Sequence, residues 1–417
     1  MTEFATDDQP SCLYIDQAYT VSELLRRQHR QFFDARHSGG FFKRVIGLHP
    51  FADRVREMAA PVETIRFSER QVVVEAKAMA LNLPRVLAPI NLIVTQARLL
   101  RRIARLIRDE KLSLISATDP LYSGLFGYWL KRRTGRPLVV HIYANFELNY
   151  QNTGRTAYPK LIPWRWLEQA LFGYVLRRAD KVAAGSHTVA EQAERCGVPA
   201  PRIFVLRVGK NLVPEHRVPP LERARLTEDE RRRLGIRPNT KLLLTVARLE
   251  PEKLVGDAIR AFAIVAKHVS DAVLLIAGQG SELGRLQALA ETLGVAERVN
   301  FLGLMGQSVL TRLAPECVVL SPVTGIALLE TSMSGAPPIA YDIDSSISDL
   351  VESDVTGFLI QQGDWQAMGE AALAVMQDPA LRQRLSTAIR SRAEALTDSD
   401  TIVAAEQAAY RPLIANG

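Results

Sequence analysis

Short apolar runs alternate with stretches of helical period along the whole chain. In the first half, Cys12–Ile15, Val45–Leu48, Leu112–Ser116, Leu138–Tyr143, Lys181–Ala184 and Ile203–Val208 predict strands. Between them the spacing predicts helices over Ser22–Ala35, Leu92–Arg108, Tyr122–Arg133, Trp164–Arg178 and Thr188–Cys196. The pattern restarts at Lys241–Val246 and continues through Val273–Ala277, Val299–Leu302, Val318–Leu320 and Pro338–Tyr341, with helices between, among them Val255–His268, Ser281–Leu293 and Ala327–Ser334. Continuous apolar strands alternating with helices are the mark of α/β layers built on mainly parallel sheets.

Residues 211–238 break the rhythm, being charge-dense, Pro-containing and poor in large apolar side chains. They predict a linker between an N-terminal domain, 1–210, and a second domain, 239–395, with 396–417 left as a C-terminal helix. A chain of 417 residues is ample for two such domains. Its 47% hydrophobic and 23% charged residues set global disorder and coiled coils aside.

Charge separates the halves. Residues 1–210 carry 32 Lys+Arg against 19 Asp+Glu, and residues 211–417 carry 20 against 26, so the net +7 belongs to the first half. An anionic partner is therefore expected on one side only. Three scattered cysteines give neither a disulfide framework nor a zinc motif, and no metal ligand set is predicted. No apolar stretch is long enough to span a bilayer, and the first ten residues are too acidic for a secretory signal, so a cytoplasmic protein is expected. Nothing resembles a nucleic-acid module.

Three segments of the second half carry candidate chemistry. Arg248 and Lys253 fall in the turn after the strand 241–246, a place for a cationic clamp on a diphosphate, although Glu250 and Glu252 in the same turn can neutralise them. Ser321–Gly325 is a loop of small residues leading into a helix that carries Glu330 in its early turns. The N–H groups of such a helix start suit phosphate, and the carboxylate can accept from a ribose diol or merely complement the helix dipole. Gly278-Gln279-Gly280 follows a strand, but its third glycine, Gly284, is one residue late for a dinucleotide fingerprint; a tight turn is the better account.

Taken together, Arg248…Lys253, Gly278-x-Gly280, Phe301-x-Gly303, Gly325-x-x-x-x-Glu330, Gly335-Ala336-Pro337, Asp342 and Gly357-Phe358-Leu359 resemble the donor domain of family-4 retaining glycosyltransferases. The resemblance implies the GT-B fold, an α/β architecture of two Rossmann-like domains facing a cleft, with the C-terminal helix crossing back to the first. It implies a nucleotide-diphosphate sugar as donor substrate, no required cofactor, and transfer with retention. Diphosphate binding would fall on Arg248 and Lys253, and ribose binding on Glu330. Backbone N–H groups around Ile326, Ala327 and Leu328, beyond Gly325, would face the phosphates, and Gly303–Leu304 would lie near the base. Likeness in the first half is weaker, across Asp119-Pro120 and 179–198.

The departures cluster where the sugar would sit. Pro322 stands where the family has a second Glu, leaving Thr324 as the nearest polar substitute, and Tyr143 stands where it has a His. His141 shares the face of Tyr143 on the strand and is the candidate replacement, so His141, Tyr143 and Asp119 are the catalytic candidates. Asp342-x-Asp344 has the form of a metal–diphosphate ligand in a different fold, but Asp342 already belongs to the pattern above. In the basic half, the helix around 97–111 sets Leu99, Leu100, Ile103, Leu106 and Ile107 on one stripe, with Arg98, Arg101, Arg102 and Arg105 elsewhere on its surface. Such a helix meets an anionic membrane or simply packs on its sheet. The reading is a glycosyltransferase acting on a lipid-linked or polysaccharide precursor, cytoplasmic and peripheral on the inner face of the membrane. The alternatives are a non-catalytic nucleotide-sugar-binding subunit and a GT-B epimerase or hydrolase.

Overall fold

A computed structural model describes residues 9–26, 31–54, 56–207, 209, 212, 214–323 and 325–415. The chain divides into two compact units, the first made of 1–145, 155–211 and 399–417, the second of 146–154 and 212–398.

The first unit holds an eight-stranded sheet. Its strands are β1 (Ser11–Ile15), β2 (Arg44–His49), β3 (Val62–Arg66), β4 (Gln71–Ala76), β5 (Leu114–Ala117), β6 (Leu138–Ile142), β7 (Lys181–Ala184) and β8 (Ile203–Val205), in the order β3-β4-β2-β1-β5-β6-β7-β8. All neighbours run parallel except the edge pair β3/β4. That hairpin is absent from the sequence reading. Its β4 is buried along its whole length, whereas β3 alternates like an edge strand. The helix Ala88–Asp109 begins with a proline in its first turn, where the missing N–H costs nothing, and buries Leu99, Leu100, Ile103, Ala104 and Ile107. Within the predicted helix 22–35, Val21–Arg26 and Gln31–Ala35 are helical, and 27–30 lie outside the described residues. The C-terminal helix Ser399–Ala415 lays Ile402, Ala409 and Tyr410 against Cys12, Phe42, Leu114 and Val139.

The second unit holds a six-stranded, all-parallel sheet: β9 (Lys241–Val246), β10 (Ala272–Ala277), β11 (Val299–Gly303), β12 (Cys317–Ser321), β13 (Pro338–Tyr341) and β14 (Phe358–Ile360), in the order β11-β10-β9-β12-β13-β14. This is the doubly wound order, with a topological switch between β9 and β12. Residues 212–238, expected as a linker, are packed instead: Leu226 and Ile236 are buried against Leu242, Leu244 and Leu313. Two ion pairs and a cap fix this stretch. Thr227 closes a capping box with Glu230, Arg312 grips the Glu230 carboxylate with two nitrogens at 2.6 and 2.8 Å, and Arg231 reaches Glu316. The helix Phe146–Thr153 is counted with this unit: it packs beside Pro251–Lys253, and Asn152 accepts a hydrogen bond from Gln362.

Candidate active site

In the second unit the carboxyl ends of β9, β10 and β11 are stitched together by their own backbone. Leu249 N–H donates to Gln279 O, Glu282 N–H to Leu249 O, and Gly278 N–H to Gly303 O, at 2.8–2.9 Å. Gly278, at φ +155°, packs so closely that a Cβ there would stand 1.8 Å from Ala247 O; one on Gly280 would stand 2.2 Å from Leu249 O. The Gly278-x-Gly280 element is thus a tight turn, and it fixes the path of the β9 loop that carries Arg248 and Lys253.

Arg248 is largely exposed and pairs with Glu252 at 2.7 Å. Glu250 is used differently: it accepts from Ser281 N–H and Oγ. Lys253 is mostly enclosed, and burial together with the charge of Arg248 lowers its pKa. Two cations and the Glu252 carboxylate thus share one partly enclosed turn.

Across the switch, β12 runs into the helix Ile326–Met333 through Pro322, Val323 and Gly325. Thr324 lies outside the described residues. Gly325 takes the N-cap position without a side-chain cap, so the positive end of the dipole over Ile326, Ala327 and Leu328 faces the loop. Glu330 is buried one turn further on, where its Oε1 accepts from Gln307 Nε2 at 2.9 Å. Gln307 Oε1 in turn lies 3.0 Å from His216 Nε2. Desolvation raises the Glu330 pKa to about 7 and lowers that of His216 to about 4. Gly303, at φ +68°, ends β11 and presents the exposed Leu304. Arg248, Lys253, Gly303, Leu304, Gly325–Leu328 and Glu330 therefore all sit at or just past the carboxyl ends of parallel strands of one sheet.

The candidates of the first unit are built differently. His141, on β6, is 0% exposed, with Ser116 Oγ 2.9 Å from Nε2 and the Tyr143 hydroxyl 2.9 Å from Nδ1. Tyr410 adds its hydroxyl at 3.4 Å from Nε2 and donates to Glu406 at 2.9 Å; Glu406 also receives Ser38. The imidazole is thus a satisfied core group and no substrate reaches it directly, which corrects its expected role as a catalytic contact. Tyr143 is 41% exposed at its ring, while its hydroxyl turns inward to His141, and its pKa is raised by desolvation. Asp119 is also consumed locally. Oδ1 accepts from Leu121 N–H at 2.8 Å, and Oδ2 from Ser123 N–H at 3.2 Å and from Gln17 Nε2 at 2.8 Å. These bonds anchor the start of the helix Tyr122–Thr134, and burial raises the pKa of the carboxyl.

Two family models cover most of the chain. The glycosyl transferases group 1 model matches residues 227–392, and the glycosyl transferase 4-like domain model matches 18–209. The chain belongs to the group 1 glycosyltransferases. Among curated relatives, it is 26% identical over 272 residues to alpha-D-kanosaminyltransferase of Streptomyces kanamyceticus, covering 63% of this chain and 67% of that one. It is 25% identical over 288 residues to alpha-monoglucosyldiacylglycerol synthase of Streptococcus pneumoniae, covering 66% and 62%. With the N-acetyl-alpha-D-glucosaminyl L-malate synthase of Bacillus anthracis, matched over 46% of its length, the chain spans from 46% to 67% of the length of these relatives. The fold matches sucrose-phosphate synthase of Thermosynechococcus elongatus at a TM-score of 0.74 (18% identity, 98% and 100% of the two chains). It matches Anabaena HepE in complex with UDP-glucose at 0.67 (17% identity, 97% and 99%). The fold is GT-B.

For a group 1 glycosyltransferase, sequence reasoning missed the partners rather than the candidates. Gln307 and His216, which hold Glu330, and Gln17, which holds Asp119, come from distant segments. Among the described residues no three His, Cys, Asp or Glu side chains gather to hold a metal ion. Asp344 serves as the N-cap of the short helix Ser345–Ser348. The arginines Arg98, Arg101, Arg102 and Arg105 are exposed, and the apolar stripe beneath them is spent on the core.

Proposed function

We propose that the protein transfers a sugar from a nucleotide-diphosphate donor to an acceptor, with the donor held by the second unit and the acceptor by the first. One observation carries the reading: the switch point between β9 and β12 gathers two cations, an uncapped helix start and a buried carboxylate. Arg248 and Lys253 stabilise the charge that grows on the diphosphate as the glycosidic bond breaks, and the helix dipole adds to them. Glu330 accepts from the ribose hydroxyls, and Gly303–Leu304 flanks the base. Retention is what the resemblance to family-4 enzymes implies: the acceptor oxygen bonds the anomeric carbon on the face the diphosphate leaves, and the departing diphosphate takes the acceptor proton. Such a site requires no metal, because the protein supplies the positive charge. The curated relative whose name includes diacylglycerol favours a lipid-linked acceptor, and with it a peripheral place on the cytoplasmic face of a membrane; polysaccharide precursors are the other class.

A second reading, a nucleotide-sugar-binding subunit without turnover, is favoured by the burial of His141 and by Pro322 at the sugar end. A panel of UDP-, GDP- and ADP-sugars separates the readings, with thermal stabilisation and nucleotide release followed together. Release that depends on added lipid or glycan extract is the expected result. Stabilisation without release points to the binding subunit, and a new free sugar without acceptor points to an epimerase or hydrolase. No stabilisation by any nucleotide sinks the donor site.

A further inference from the structure

Three residues of the second unit form a line that ends on Glu330, each from a different element. His216 sits in the short 3₁₀ turn Pro214–Arg217, Gln307 opens the helix Gln307–Leu313, and Glu330 belongs to Ile326–Met333. One half-buried guanidinium ties the same elements together. Arg223 donates to His216 O at 2.8 Å, to Thr311 O at 2.7 Å and to Ser334 Oγ at 2.9 Å, at the end of the Glu330 helix. A second, independent set of bonds thus holds the line in register.

The outer member decides which way the middle one points. His216 is 0% exposed, and its Nδ1 has no hydrogen-bond partner; the Glu330 carbonyl adds a favourable field there but no bond. A bare ring nitrogen is better tolerated in a core than an orphaned N–H, so the proton belongs on Nε2. Nε2–H then donates to Gln307 Oε1 at 3.0 Å, which leaves the Gln307 N–H group to donate to Glu330 Oε1 at 2.9 Å. The reverse amide orientation turns a carbonyl on Glu330 and requires its carboxyl to keep a proton. Oε2 of Glu330 has no hydrogen-bond partner among the described residues. On Glu330 the Gln307 bond alone opposes burial; on the His216 ring, Gln307 and the charges of Arg223 and Glu215 act besides it. As core filling, an imidazole with one nitrogen unsatisfied is a poor choice beside an apolar side chain.

We propose that His216 is a positioning residue for nucleotide recognition: through Gln307 it holds Glu330 as an acceptor and leaves Oε2 to the ribose hydroxyls. This rests on Glu330 being the ribose ligand, and adds two residues that act through it.

The test pairs each ribonucleotide with its 2′-deoxy counterpart, UDP with dUDP, GDP with dGDP and ADP with dADP, titrated by calorimetry on the full chain above the Glu330 pKa of about 7. In the parent, the pair that binds should show a preference for ribose of about tenfold. His216→Phe and Gln307→Met should each lower it to about threefold or less, with the affinity for the deoxynucleotide unchanged. His216→Gln, whose amide N–H falls where Nε2–H stood, should restore it. Gln307→Met should also move the onset of ribose preference above pH 7, because the bond that lowers the Glu330 pKa is gone. Circular dichroism melting reports whether each variant keeps its fold, and Gln307→Met, at a half-buried position, carries the test if His216→Phe melts early. A parent that binds without preferring ribose removes Glu330 from the ribose, and the inference falls with that reading. A parent that prefers ribose beside a folded His216→Phe or Gln307→Met that keeps the full preference overturns the inference and leaves the donor site standing. Equal losses for both nucleotides reduce His216 to packing and overturn it as well.

Discussion

At the carboxyl edge of its sheet, each unit places charged side chains in the loops beside the switch in strand order, and the two sets are used in opposite ways. In the first unit, Asp16 after β1 pairs with Arg36 and accepts from Ala18 N–H, while both oxygens of Asp119 after β5 receive backbone or amide protons. Those carboxylates shape their loops. In the second unit, glycine and backbone contacts fix the path of the β9 loop, and Arg248 stays largely exposed there beside Glu252. Polar groups bound by their own loop build a wall; polar groups on a loop fixed by other means can address a ligand.

The strongest test of this contrast is Gly278→Ala. With Ala247 O only 1.8 Å from the new Cβ, the β9 loop must move, and we expect a loss of about 3 kcal/mol or more in denaturant unfolding of the second unit. Gly325→Ala is its control: nothing lies within 4 Å of its added Cβ and its backbone is extended, so stability should hold. Equal losses would show that the glycines of the β9 and β10 loops have no special part in holding them.

Glu330→Gln should weaken binding of the nucleotide sugar selected by the donor panel roughly tenfold, about 1.4 kcal/mol by calorimetry, and yet stabilise the fold above pH 7. The sign follows from linkage. Glu330 holds its proton up to about pH 7 in the fold against an ordinary 4.5, so its contribution is full below pH 4.5 and is lost as pH rises through 7. His216 runs the other way, its contribution full above pH 6.5 and lost as pH falls towards 4. The two slopes nearly cancel in the parent protein. Glu330→Gln should expose the His216 slope, with stability falling by up to about 3 kcal/mol on acidification below 6.5. Affinity for that nucleotide sugar should rise with pH through 7 in the parent and stay flat in the variant. A flat parent curve would separate Glu330 from the ribose.

Asp119→Asn should have the smallest effect. It keeps acceptor capacity on one oxygen, so a loss of about 1 kcal/mol in thermal stability is expected, with nucleotide-sugar affinity unchanged. A collapse of turnover without a change in stability would return Asp119 to the chemistry and break the contrast between the units.

The parts of this arrangement that were legible are the local ones. Strands such as Lys241–Val246 and Pro338–Tyr341 are continuous apolar runs, and Arg248, Lys253 and Glu330 stand at fixed offsets from them. The β3/β4 hairpin was not legible, because Val62–Arg66 has only two apolar residues, Val62 and Ile65, and these do not fall on alternate positions. Nor was the fate of His141. Its partner Tyr410 comes from a helix 269 positions away, and only folding shows that the imidazole is enclosed. The stretch 211–238 misled through its charge density: Arg223 donates to Thr311 O, Ser334 Oγ and His216 O, so its charge is structural rather than solvated.

The contact between Ser38 and Glu406 joins positions 368 apart and closes the first unit with the last helix of the chain. As a nascent polypeptide, the first unit therefore emerges without the element that covers Phe42 and Cys12, and waits while the second is made. The second unit, whose strands lie within one continuous segment, can complete its sheet first. Closing a loop of that length costs about 3 kcal/mol more than closing one of about ten residues, so the delay adds to a real entropic cost. During that interval an apolar sheet face is bare, and the interval sets how long the young chain depends on protection from aggregation.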